Sequence, residues 1–229
     1  MHDFKAGADA VAAVITRQAG EMRRGLAVQI TGAAIAYVAV VLGYYVFNST
    51  PVTLGIYHGG IVAYVVLTGQ TTVVRQLVHG WRTRLGLAAT AVFAATGIAV
   101  WYVWPLAALP EVDFAARLAE RGIGGPAFWW FAAAIIFVNP ALEEILWRGC
   151  LVDNARRPSW IDAAFAGFHL LGMLLMAAVW VSLLTFLLLA AVSWFLRYVR
   201  AATGGLAICW VAHTAADISI VTAMYLLLQ

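Results

Sequence analysis

Three ionisable residues, Glu143, Glu144 and Arg148, stand in the middle of one apolar run, FWWFAAAIIFVNPALEEILWRGCLV. A run of this length is enough to cross a bilayer, where each ionisable group near the centre costs roughly 2.5–3.5 kcal/mol. Three in one span persist only where they pair, hydrate or react. Two further apolar stretches repeat the anomaly, with His169 in FAGFHLL and with His213 and Asp217 in WVAHTAADIS. The pattern points to an acid, base and imidazole cluster held inside a membrane.

The rest of the chain agrees with a membrane setting. Hydrophobic residues make up 64% and charged residues 11% of the 229, with a mean hydropathy of +0.88, which excludes an ordinary soluble domain. Counting runs of about 20 apolar residues gives seven candidate spans, at 26–47, 52–67, 85–106, 126–151, 160–175, 176–196 and 204–227. No polar loop divides 160–196, yet at about 1.5 Å per residue that stretch is far too long for one helix crossing. The chain is divided near Gly172. The expected fold is all-α, a polytopic integral membrane helix bundle with about seven transmembrane helices.

Basic residues set the expected orientation. Lys5, Arg17, Arg23 and Arg24 precede the first span, Arg75, Arg82 and Arg84 follow the second, Arg156 and Arg157 follow the fourth, and Arg197 and Arg200 precede the last. These segments all fall on one side, which the positive-inside rule makes cytoplasmic, leaving the N-terminus inside and the C-terminus outside. The formal charge of +3 then reports topology and contact with anionic membrane lipids, and no nucleic-acid partner is called for. Residues 1–25 lack a signal-peptide pattern and read as a cytoplasmic segment with a surface-lying helix. PEVDFAARLAERGIGGP reads as a short helical connector on the outer face, closed by glycines and Pro126. Cys150 and Cys209 support neither a disulfide framework nor a cysteine-rich metal site.

Spacing brings the polar residues to a common level. Counted from the expected cytoplasmic ends, Glu143, His169 and His213 lie about 12, 16 and 15 Å deep. Glu144 and Arg148 are four apart, with the acid on the N-terminal side, the favourable order for an intrahelical ion pair. Glu143 points about 100° away and lacks that partner, which suits a group that takes and returns a proton. His213 and Asp217 repeat the four-residue spacing, so the carboxylate can orient the imidazole. Phe165 and His169 share it too, placing an aromatic ring beside the second histidine. Pro140 lacks an amide proton and predicts a bend just before the glutamates. His58, beside Gly59 and Gly60, reads as a helix-packing or interfacial residue.

These residues resemble a known family. PALEEILWRG is similar to an EExxxR signature, FAGFH to FxxxH, and HTAAD to the HxxxN or HxxxD signature of the CAAX-processing and bacteriocin-processing (CPBP, or Abi) intramembrane proteases. The likeness covers roughly 126–219, and LRYVRAATGGLAICWVAH is similar to the family's approach to its last motif. It implies a glutamic intramembrane endopeptidase whose catalytic core is 126–229, with accessory helices and the outer connector in 26–125. On that pattern Glu143 is the base that activates water, His169 helps hold the water, and Glu144 with Arg148 braces the helix. His213 and residue 217 stabilise the oxyanion, a role that requires a hydrogen-bond donor. Asp217 departs from the asparagine form, since a carboxylate donates only when protonated, and it can instead fix the tautomer of His213.

Other chemistries are weighed beside this one. HExxH, GxSxG and GxGD are all missing from the sequence, which removes the corresponding zinc, serine and aspartyl proteases. Glu143, His169 and His213 match the residue types of a catalytic zinc set, but the resemblance implies a route without a cofactor. A non-catalytic binding or immunity protein is a second class, and a proton-relaying transporter a third that lacks any inverted repeat. The expected partner is a membrane-anchored protein or peptide substrate. The richness in Ala, Val and Trp points to a bacterial cytoplasmic membrane, which argues against a prenylated substrate.

Overall fold

The structure is a computed structural model and describes residues 25–109, 113–151 and 155–229. The expected N-terminal surface helix, with Lys5, Arg17, Arg23 and Arg24, lies outside the described residues. Eight helical elements follow one another: α1 (Gly25–Val46), α2 (Thr50–Leu67), α3 (Thr83–Ala107, interrupted at Ala95), α4 (Phe114–Glu120), α5 (Ala127–Cys150), α6 (Trp160–Met173), α7 (Val179–Thr203) and α8 (Ala207–Leu227). A 3₁₀ segment, Thr71–Val78, joins α2 to α3. The chain is a polytopic helical bundle, as its apolar periodicity predicts.

Among the described residues six helices (α1, α2, α3, α5, α7 and α8) are long and apolar enough to cross a membrane. The expected fifth span is different. It forms α6, only 14 residues long, so it rises about 21 Å against roughly 30 Å of hydrocarbon. The chain turns back after Met173, next to the predicted division at Gly172. At that turn Ala177 bridges Ala108, and the Ala178 amide donates to the Ala107 carbonyl at 2.8 Å. Backbone that leaves a helix at this depth needs partners, and the end of α3 supplies them.

Local sequence explains the ends. Ser49 caps α2, accepting from the Val52 amide at 3.4 Å, with Pro51 in the first turn. Ser159 and Asp162 form a capping box at the start of α6. Asp113 caps α4 in the connector, and Gly122 and Gly125 close it with φ of 77° and 55°. Gly204 ends α7 at φ 78°, a conformation open to glycine at little cost.

The main core lies between α1, α2, α5 and α6, where Ala36, Ile61, Leu146, Trp147, Leu151 and Ile161 are fully buried. Outward faces stay apolar, with Leu187, Leu188, Val92 and Trp130 all exposed, as lipid contact requires. Packing couples α6 to α7 and α8 to α3. The first pair is locked by Asp162, which accepts from Arg197 Nε at 2.9 Å and Nη2 at 2.7 Å. Arg197 also reaches the Arg157 carbonyl at 3.1 Å, so this arginine fastens the bundle rather than only flanking a span.

The second pair meets at glycine. The Gly97 amide donates to Ser219 Oγ at 2.9 Å, and a β-carbon at Gly97 would collide with the Ser219 backbone. Replacing Gly97 by valine is therefore expected to part α3 from α8. The cost is put at about 1–3 kcal/mol or more, the range of overpacked cores. Thermal unfolding in detergent measures it, and an unchanged midpoint contradicts the close contact.

Candidate active site

The glutamate helix does not run as a regular α-helix. Its ladder slips into π geometry over Ala134–Val138, returns to α over Asn139–Glu143, and slips again over Glu144–Cys150. Pro140, in the first turn of the middle segment, has no amide to donate, so the bend expected there takes the form of a change of register. Wide π turns re-aim side chains. Here they surround the two glutamates.

Both glutamates are buried, Glu143 at 2% exposure and Glu144 at 0%, and both face His213 of α8. His213 Nδ1 donates to Glu144 Oε1 at 2.8 Å. Its other nitrogen, Nε2, lies 3.7 Å from Glu143 Oε2 and 3.8 Å from Asp217 Oδ1. One imidazole thus spans two adjacent carboxylates of a neighbouring helix. Glu144 has a second partner in Arg148 Nη1 at 3.2 Å, the four-residue ion pair read from the sequence. Glu143 Oε2 and the second oxygen of Glu144, Oε2, have no hydrogen-bond partner among the described residues.

The Arg148 guanidinium is itself buried, with its Cζ 4.1 Å from the centroid of the Phe165 ring. Phe165 ties in His169. The His169 Nδ1 donates to the Phe165 carbonyl at 2.9 Å, so in the neutral ring Nε2 is left as an acceptor. The ring lies against both Phe165 and Phe168, with centroids 4.7 and 4.0 Å away. No hydrogen bond joins His169 directly to Glu143, His213 or Asp217 among the described residues. It is placed next to the cluster through Phe165. From the observed helix ends Glu143, His169 and His213 lie about 10, 14 and 9 Å along their helices, so the common level holds to within a turn.

Three neighbours were not singled out as site residues by the sequence reading. Asn139 lies one turn before Glu143, and its Nδ2 donates to Asp217 Oδ2 at 3.5 Å. His58 of α2 hydrogen-bonds Asn139 Oδ1 at 3.2 Å, a contact between helices that also places it beside the site. Tyr57, fully packed beside it, accepts from Trp147 Nε1 at 2.8 Å and brings its hydroxyl beside Glu143. The i, i+4 spacing from Asn139 to Glu143 is visible in the sequence, but nothing there reveals the partners on α2.

The two helices run antiparallel and make two polar rungs, Glu143 with His213 and, one turn further, Asn139 with Asp217. An open apolar groove of about 600 Å³ lies alongside, lined by His58, Val62, Val66, Val138 and Leu142. Among the described residues no three His, Cys, Asp or Glu side chains are arranged to hold a metal ion. What the cluster offers is a buried carboxylate with a free oxygen, an oriented imidazole and an amide donor within one small volume.

Residues 125–219 match the family described as type II CAAX prenyl endopeptidase Rce1-like. This stretch holds every residue of the cluster except those on α2, and it bears out the resemblance read from the three motifs. This region is therefore similar to an Rce1-like domain, set in a chain whose described residues include six helices long and apolar enough to cross a membrane. Neither a curated protein nor a solved structure matches the chain.

Proposed function

We propose that this Rce1-like domain is a glutamic intramembrane endopeptidase that uses Glu143 to activate water. The observation that carries the reading is the reach of His213 across both glutamates, with Nδ1 hydrogen-bonded to Glu144 Oε1 and Nε2 3.7 Å from Glu143 Oε2, an oxygen without a hydrogen-bond partner. Glu143 takes a proton from water as the oxygen attacks the scissile carbonyl carbon, and later returns it to the leaving amine. His169, an acceptor at Nε2, helps hold the water. In its doubly protonated form His213 donates to Glu144 through Nδ1 and to the developing oxyanion through Nε2.

Glu144 and Arg148 are positioning residues on this reading. Their ion pair fixes the carboxylate that orients His213. Asp217 faces the same ring and, as a carboxylate, steadies it rather than donating. The route uses no metal, and the substrate is a segment of a membrane-anchored protein or peptide. The arginine-rich ends of the helices lie in the cytoplasm, with the C-terminus outside, in a bacterial cytoplasmic membrane.

Peptide-terminus mass spectrometry tests this on membranes from cells making the wild type, Glu143→Gln or His213→Ala, with a chelator in a parallel sample. New termini are expected with the wild type alone, and they survive chelation. Termini lost to the chelator assign zinc to the site. Identical termini from all three folded proteins leave a binding or structural cluster and remove the protease reading.

A further inference from the structure

The site described so far is short of donors. An oxyanion forming beside three carboxylates (Glu143, Glu144 and Asp217) needs N–H or O–H groups aimed at it; His213 supplies one, while the Tyr57 hydroxyl beside Glu143 is engaged by that carboxylate. Asp217, facing His213 at 3.8 Å, accepts when ionised and adds nothing on that side.

Asn139 is the neutral amide within reach. Its orientation follows from its neighbours. A carboxylate only accepts, so the face of Asn139 toward Asp217 must carry Nδ2, at 3.5 Å. The opposite face is then Oδ1, which takes its hydrogen bond from His58 Nε2 at 3.2 Å. A histidine on α2 and an aspartate on α8 thus hold the amide from both ends. One Nδ2 hydrogen is committed to Asp217, and the second has no hydrogen-bond partner among the described residues. Because Asn139 and Glu143 are one turn apart on the same helix face, that free N–H belongs to the surface on which the water-activating carboxylate stands.

We propose that Asn139 is a catalytic residue, the second oxyanion donor beside His213, with His58 and Asp217 as the pair that positions its amide. This rests on the glutamic protease reading. The last helix carries a carboxylate where a donor is required, and the glutamate helix carries the missing amide across the same contact.

Exchange of the two groups tests the proposal. The readout is the initial rate at which Glu143-dependent termini appear in membranes, per amount of folded protein, alongside the thermal midpoint of each purified variant. Asn139→Ala is expected to lower the rate by roughly 10²–10³-fold, the loss typical of one oxyanion donor. Asn139→Asp, which sets two carboxylates face to face and leaves no amide, falls at least as far. Asn139→Asp combined with Asp217→Asn puts an amide back into the contact and recovers most of the rate. If the exchange restores the thermal midpoint but not the rate, the contact is structural and the proposal is overturned. A wild-type rate in Asn139→Ala, with Glu143→Gln inactive, overturns it as well and leaves the protease reading standing. Termini that do not depend on Glu143 remove both.

Discussion

Glu143→Gln lowers the cleavage rate by roughly 10²–10⁴-fold, the contribution of a general base, while the protein stays folded. Glutamine keeps the shape of the side chain, and its amide oxygen can still accept from the Tyr57 hydroxyl beside it. The thermal midpoint is expected to hold or to rise, since a buried carboxylate with an oxygen lacking a hydrogen bond is replaced by a neutral group. The neighbouring substitution separates chemistry from support. Glu144→Gln also slows cleavage, but it does so by weakening the 2.8 Å bond to His213 and the 3.2 Å pair with Arg148, so the midpoint falls with the rate. Measuring both quantities for both variants checks the assignment. Equal loss of stability in the two would mean that Glu143 is a structural residue.

Arg148→Met is expected to cost about 3–5 kcal/mol of stability, the penalty for breaking a buried ion pair and leaving one charge behind. Glu144 and Arg148 are each fully buried, and the guanidinium also lies over the Phe165 ring. Methionine refills part of the volume but leaves Glu144 with His213 alone. Adding Glu144→Gln removes the stranded charge, so the double variant recovers much of the stability and none of the activity. Thermal unfolding of the single and double variants reads this directly. A single variant as stable as the wild type would show that the pair is dispensable to the fold.

The fold was legible where it depends on length and hydropathy. The long apolar runs became helices within about three residues of their expected ends, apart from α7, which runs on past 196 to Thr203, because burial in lipid asks for little besides an unbroken apolar stretch. Run 160–175 was legible as a helix but not as a short one, since its composition matches that of its neighbours and only the turn after Met173 sets its length. Within the site, pairs on one helix could be read from spacing, as with Glu144 and Arg148. Contacts between helices could not. That His213 bridges both glutamates depends on the π turns around Glu143, and a register slip leaves no mark in a pattern of apolar residues. Asn139 and His58 went unassigned for a related reason. Each is unremarkable in its own helix and gains meaning only from a partner 78 or 81 residues away.

The shortness of α6 has a consequence for the surrounding lipid. At a rise of about 21 Å it falls short of roughly 30 Å of hydrocarbon, so it offers lipid less apolar height than its neighbours do, a case of hydrophobic mismatch. The backbone bridge between Ala108 and Ala177 ties the turn after α6 to the end of α3, a helix long enough to cross. Mismatch of this kind favours a locally thinner bilayer, which would shorten the path along which water reaches His169 and a reaction that consumes it.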